Sequence, residues 1–116
     1  MGYTVFIFKK EVSKNKNPEF LENQNLIPDF SVEEFTKLKE KLIRYKYNLE
    51  SEKDSVLIFN HSNAKYGITA TLFKNQLALS SGFDQDGLFE VMQTSSEFVS
   101  TEFAKYDPQD DSWETD

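Results

Sequence analysis

Residues 3–8, Tyr-Thr-Val-Phe-Ile-Phe, constrain the fold more than any other stretch of this chain. Taken alternately, Tyr3, Val5 and Ile7 form one side of an extended segment, and Thr4, Phe6 and Phe8 form the other. Both sides are largely apolar. A strand on a solvated face alternates apolar with polar residues; a strand apolar on both sides belongs in the middle of a sheet, with both faces covered or nearly so.

A chain of 116 residues fits one domain. At that size it buries roughly two-thirds of its unfolded surface, enough for a core without covalent staples. Eleven Phe and five Tyr supply much of that core, too much apolar material for a disordered chain. There are no cysteines, which excludes disulfides, thiolate catalysis, zinc fingers and iron–sulfur clusters together. Residues 3–8 are too few for a signal-peptide core, and no basic run precedes them. No stretch reaches the roughly 18–20 apolar residues of a membrane span. The sequence predicts a cytoplasmic protein with no membrane segment.

Charge is unevenly placed. Residues 1–74 carry 12 Lys/Arg against 10 Asp/Glu, whereas residues 75–116 carry Lys105 alone against 10 acids, a local charge of −9 within a total of −7. Such a surface repels phosphate backbones and suits a protein partner with a basic surface. It also serves plain solubility.

The Ser31-Val32-Glu33-Glu34 run is a capping box, with Phe30 and Phe35 placed as a hydrophobic staple. Phe35, Leu38, Leu42 and Tyr45 then recur at helical spacing. Asn17-Pro18 can open a short helical turn within an otherwise loop-like, Asn-rich segment 13–28. Val56–Phe59, Ile68–Phe73 and Leu77–Ser80 read as strands, the last two as a hairpin about Lys74-Asn75. Leu88, Val91, Met92, Ser95 and Val99 mark a second amphipathic helix. Phe103–Tyr106 is a short final strand, stopped by Asp107-Pro108. The order β-α-β-β-β-α-β predicts a ferredoxin-like α+β sandwich, an antiparallel sheet with two helices on one face. Residues 1–109 form that single domain, and 110–116 an acidic, flexible tail whose Trp113 is either docked or free for a partner.

The C-terminal half resembles a family of small uncharacterised bacterial α+β proteins. Tyr66-Gly67-Ile68, Leu77-Ala78-Leu79, the helix from Phe89 and the Tyr106-Asp107-Pro108-Gln109 ending carry the resemblance, over roughly residues 56–110. The family implies an α+β sandwich of the size and style of toxin-immunity proteins, with no established activity. The Asn-rich segment has no counterpart in it.

Catalytic patterns are weak. His61 is the one histidine, and no Gly-x-Ser-x-Gly motif surrounds any serine. Asp84-Gln85-Asp86-Gly87 resembles a calcium loop, but Gly82 and Gln93 fall where that loop needs its first ligand and its bidentate Glu. It reads instead as a turn whose Asp caps the second helix. Four glycines, at 2, 67, 82 and 87, build no phosphate cradle. Lys65–Leu72 lacks the aromatic ladder of RNA-recognition strands. The sequence therefore predicts no catalytic, cofactor or metal site and no nucleic-acid binding. It predicts a non-enzymatic binding protein, of which an immunity-type inhibitor is one form. Its acidic C-terminal surface meets a basic partner through Asp84, Asp86, Glu90, Glu97, Tyr106, Asp107, Gln109 and Trp113. The alternative is a homodimeric small-molecule-binding or regulatory domain, using an apolar open sheet face.

Overall fold

The computed structural model describes residues 3–14, 27–82, 85–109 and 112–115. The Asn17-Pro18 turn and most of the Asn-rich segment lie outside them. Strand β1, Tyr3–Lys9, takes the place its two apolar sides require. It lies between β5 (Leu77–Ser81) and β6 (Phe103–Asp107), antiparallel to both. Val5 and Ile7 are fully buried in the main core. On the opposite side Phe8 is buried in a second cluster with Val12, Ile27 and Tyr106, with Phe6 packed against it.

Helix α1 spans Val32–Arg44. Its capping box is present: Ser31 Oγ accepts from the Glu34 amide at 3.1 Å, and the Ser31 amide donates to Glu34 Oε1 at 2.7 Å. Leu38 and Leu42 turn into the main core. After α1 come β2 (Tyr47–Lys53), β3 (Val56–His61) and β4 (Thr69–Leu72), which lead back to β5. Helix α2 (Gln85–Glu97) then precedes β6, and β7 (Ser112–Glu114) closes the chain.

The seven strands form one sheet in the order β2-β3-β4-β5-β1-β6-β7, and all six pairings are antiparallel. The α+β class holds; the ferredoxin-like arrangement does not. Two strands account for the difference. The first, β2, has six of its seven residues exposed. As a sheet-edge strand solvated on both faces it carries Asn48, Glu50, Ser51, Glu52 and Lys53, with no apolar alternation to betray it. It turns into β3 through Asp54 and Ser55, both in the left-handed region (φ +52° and +66°), the backbone of a tight primed hairpin. Because α1 feeds this far edge, a four-strand meander returns the chain to β1, and no β1-α1-β crossover to a neighbouring strand forms.

The second is β7. Within the stretch expected to be a flexible tail, Trp113 pairs with Tyr106 across β6–β7. Its ring lies 5.8 Å from Phe8 and 4.9 Å from Tyr106, centroid to centroid. Trp113 is thus docked on the domain.

Candidate functional site

Helix α2 is turned in an unexpected direction. Its buried residues are small: Gly87, Val91, Thr94 and Ser95. Phe98, just past its end, is buried as well. Two of its bulky apolar side chains point outward, Phe89 61% and Met92 43% exposed, while Leu88 is half-buried. The expected inward face held Met92, so that expectation is corrected. The cause is space. The core beneath α2 is already filled by Val5, Ile7, Leu79 and Phe98. The helix also runs so close to the Ala64–Tyr66 turn that a Cβ on Gly87 would overlap the Tyr66 carbonyl oxygen. Only small side chains fit on that side.

Phe89 and Met92 sit three residues apart, on the same face of the helix. They line a groove of about 670 Å³ with Tyr45, Glu90, Gln93, Thr94, Ser96 and Glu97. Tyr45 Oη donates to Glu97 Oε2 at 3.3 Å, and Lys41 Nζ donates to the Glu97 carbonyl. These bonds join the end of α1 to the end of α2 and fix the groove's wall. Burial, then the neighbouring Glu97 carboxylate, raise the Tyr45 phenol above its ordinary pKa. Met92 also lines a second groove, of about 360 Å³, with Tyr3, Lys105, Asp107, Ser112, Trp113 and Glu114. The two grooves share Met92 and flank it.

Within the last third of the chain the one cation is turned inward and acids are turned outward. Lys105, the single basic residue after position 74, is buried, with Nζ 3.8 Å from Glu114 Oε1. Glu114 in turn accepts from Ser96 Oγ at 3.1 Å. The cation of the last third is thus turned inward, while Asp86 and Glu97 face solvent and Glu90 is half-buried.

Of the residues singled out in the sequence, Asp86, Glu90 and Glu97 share α2, and Asp107 and Trp113 line the second groove. Asp107 accepts from Tyr3 Oη at 2.9 Å and from the Gln109 amide at 3.0 Å, so it closes a turn as well as lining the groove. Gln109 is exposed in that turn. Tyr106 is corrected: it is buried among Phe8, Val12 and Ile27 on the opposite face of the sheet and offers no surface there. Asp84, with its expected capping role, lies outside the described residues. Phe89, Met92 and Tyr45 were missed. The signal for them was the line of small residues at 87, 91, 94 and 95, which marks a close-packed inner face as surely as large apolar ones do.

His61 has a different setting. Its Nδ1 accepts from the Asn63 amide at 3.0 Å, and its Nε2 lies 3.5 Å from Glu90 Oε1. The ring is enclosed by Tyr47 and Tyr66, each 5.0 Å away between centroids. With the amide held on Nδ1, the proton sits on Nε2, facing Glu90. A general base needs its free lone pair toward a nucleophile, and here a backbone amide occupies it. Tyr47 is buried, and its hydroxyl makes no hydrogen bond among the described residues; the nearby Thr94 hydroxyl donates to Glu90 instead, at 3.1 Å. Desolvation, then the Glu90 charge, raise the Tyr47 phenol far above its ordinary pKa. Among the described residues no group of three or more His, Asp or Glu is placed to hold a metal ion, and no helix is long and apolar enough to cross a membrane. No protein-family model, curated protein or solved structure matches this chain.

Proposed function

We infer that this chain is a non-enzymatic binding protein whose α2 surface takes up a protein partner with a basic surface. The outward pair Phe89 and Met92 carries the reading. Folding alone gives no reason to keep two large apolar groups in water beside each other. Contiguous exposed apolar surface with a polar rim is the mark of an interaction site. The exposed acids at 86 and 97 and the inward turn of Lys105 support a basic partner, since complementary charge steers encounter. An immunity-type inhibitor, which covers its partner's working surface, is the narrower form of this reading.

A photo-crosslinking residue in place of Gln93, introduced in host cells, tests it. The expected result is one dominant adduct with a basic protein, lost in the Phe89→Ser/Met92→Ser variant and weakened by added salt. An adduct pattern no different from that of a crosslinker at Lys53, on the far sheet edge, would overturn it. Self-association through the sheet face opposite the helices is a second reading. It is favoured by a cross-strand row of half-buried Ile58, Thr71, Ala78 and Phe6. Sedimentation of a Thr71→Lys variant decides it: a dimer that the variant dissolves supports it, and a monomeric parent chain rules it out.

A further inference from the structure

We propose that the partner element seated on α2 is itself an α-helix, amphipathic and basic. The proposal rests on the binding reading above and adds to it the shape of the ligand. Phe89, Met92 and Ser96 follow one another at helical spacings of three and four, so they form an apolar to small stripe along one line of the helix. Asp86, Glu90, Gln93 and Glu97 form the adjoining stripe, at spacings of four, three and four. At 1.5 Å rise per residue this second stripe runs about 16 Å, three turns of helix.

Two features select a helical ligand. The groove is walled by side chains of α2 and by Tyr45, and among the described residues no strand lines it; the edge strand β7 lines the neighbouring groove, on the other side of Met92. A partner therefore finds no main-chain hydrogen bonds here, which is what an extended peptide relies on when it adds to a sheet. A helix satisfies its own main chain and brings only side chains to the contact. The second feature is spacing. Two helices packed nearly parallel share the same rise, so cations at i and i+11 of the ligand meet the exposed Asp86 and Glu97 in register, while Glu90 between them is held by Thr94 and His61. An apolar stripe beside those cations then rests between Phe89 and Met92, against the Tyr45 ring.

The test uses the full chain and three synthetic peptides of about 18 residues, a length that spans the stripe with a turn to spare at each end. The first carries leucines on one stripe and lysines at i and i+11 of the next, locked helical by a hydrocarbon staple. The second has the same composition shuffled, and the third is the first interrupted by prolines. Amide chemical shifts of the labelled protein are followed at low salt. The stapled peptide is expected to bind at least about tenfold tighter than the others, a difference of 1.4 kcal/mol. Its shifts should centre on Tyr45, Phe89, Met92, Gln93 and Glu97, and Phe89→Ser/Met92→Ser should abolish it. Equal affinity for the shuffled or proline-broken peptide overturns the helical mode. So does a dimer of the chain alone that Phe89→Ser/Met92→Ser dissolves, which would seat a second copy on α2. If the Gln93 crosslink succeeds while the peptides bind alike, only the helical mode fails; if both experiments fail, the binding reading fails with it.

Discussion

Gly87→Ala is the sharpest test of how α2 is seated, because two physical effects oppose each other in sign. Gly87 lies in the first turn of α2. By helix propensity alone, alanine there stabilises by up to about 1 kcal/mol. The structure argues the reverse. An alanine Cβ would fall inside contact distance of the Tyr66 carbonyl oxygen, with the carbonyl carbon at 3.1 Å and Cα at 3.2 Å. All three are main-chain atoms, so no rotamer change relieves the overlap, and the helix and the Ala64–Tyr66 turn must move apart. Opening a packed seam to admit one methyl group costs about 1–3 kcal/mol, with loosened contacts at His61 and Glu90 pushing toward the upper end. Set against the propensity gain, the net expectation is destabilisation by about 2 kcal/mol. For a chain of this size that lowers the melting temperature by roughly 8 °C. Urea unfolding followed by far-UV circular dichroism measures it directly: the midpoint should fall with an unchanged slope. A variant as stable as the parent, or more stable, would show that α2 does not approach Tyr66 this closely. The explanation for its outward Phe89 and Met92 would then collapse.

Three further outcomes follow from the same structure. Phe89→Ser/Met92→Ser should leave unfolding stability within about 0.5 kcal/mol of the parent, because both side chains face water; a loss of several kcal/mol in urea titration would place them in the core. Trp113→Ala should cost about 1–2 kcal/mol and abolish the near-ultraviolet signal of the docked indole; a parent chain whose tryptophan emission is that of free indole in water would contradict the docking on Phe8 and Tyr106. For Glu34, burial raises the carboxyl pKa, but the hydrogen bonds from Ser31 and the nearby Lys9 outweigh it and hold the value below the ordinary one. A depressed folded-state pKa adds stability above the ordinary value and loses it as pH falls through the folded value. The advantage of the parent over Glu34→Gln should therefore be present at pH 7 and shrink as the pH falls through the lowered folded value in urea titrations; an advantage unchanged at low pH would refute the ionic share of the capping box.

Much of this protein is written locally. The two-sided apolar run at 3–8, the Ser31–Glu34 capping box and the alternation at 68–73 each state their own secondary structure. Each depends only on residues within a turn or a strand of one another, and each forms as read, as does the final strand before Asp107-Pro108. The surplus of acids after position 74 is equally plain from the chain. What stayed hidden depends on distant volumes and pairings. A polar strand such as β2 is a strand only because β3 lies beside it. Trp113 is docked only because Phe8 and Tyr106 meet on one face of the sheet. Above all, the rotation of α2 about its own axis is not a property of residues 85–97. The same helix could bury Met92 if there were room, and the filled core under it together with the approach of Gly87 to Tyr66 leave none. The tertiary structure alone therefore decides that Phe89 and Met92 face outward while Lys105 turns in, and with that, which surface a partner can meet.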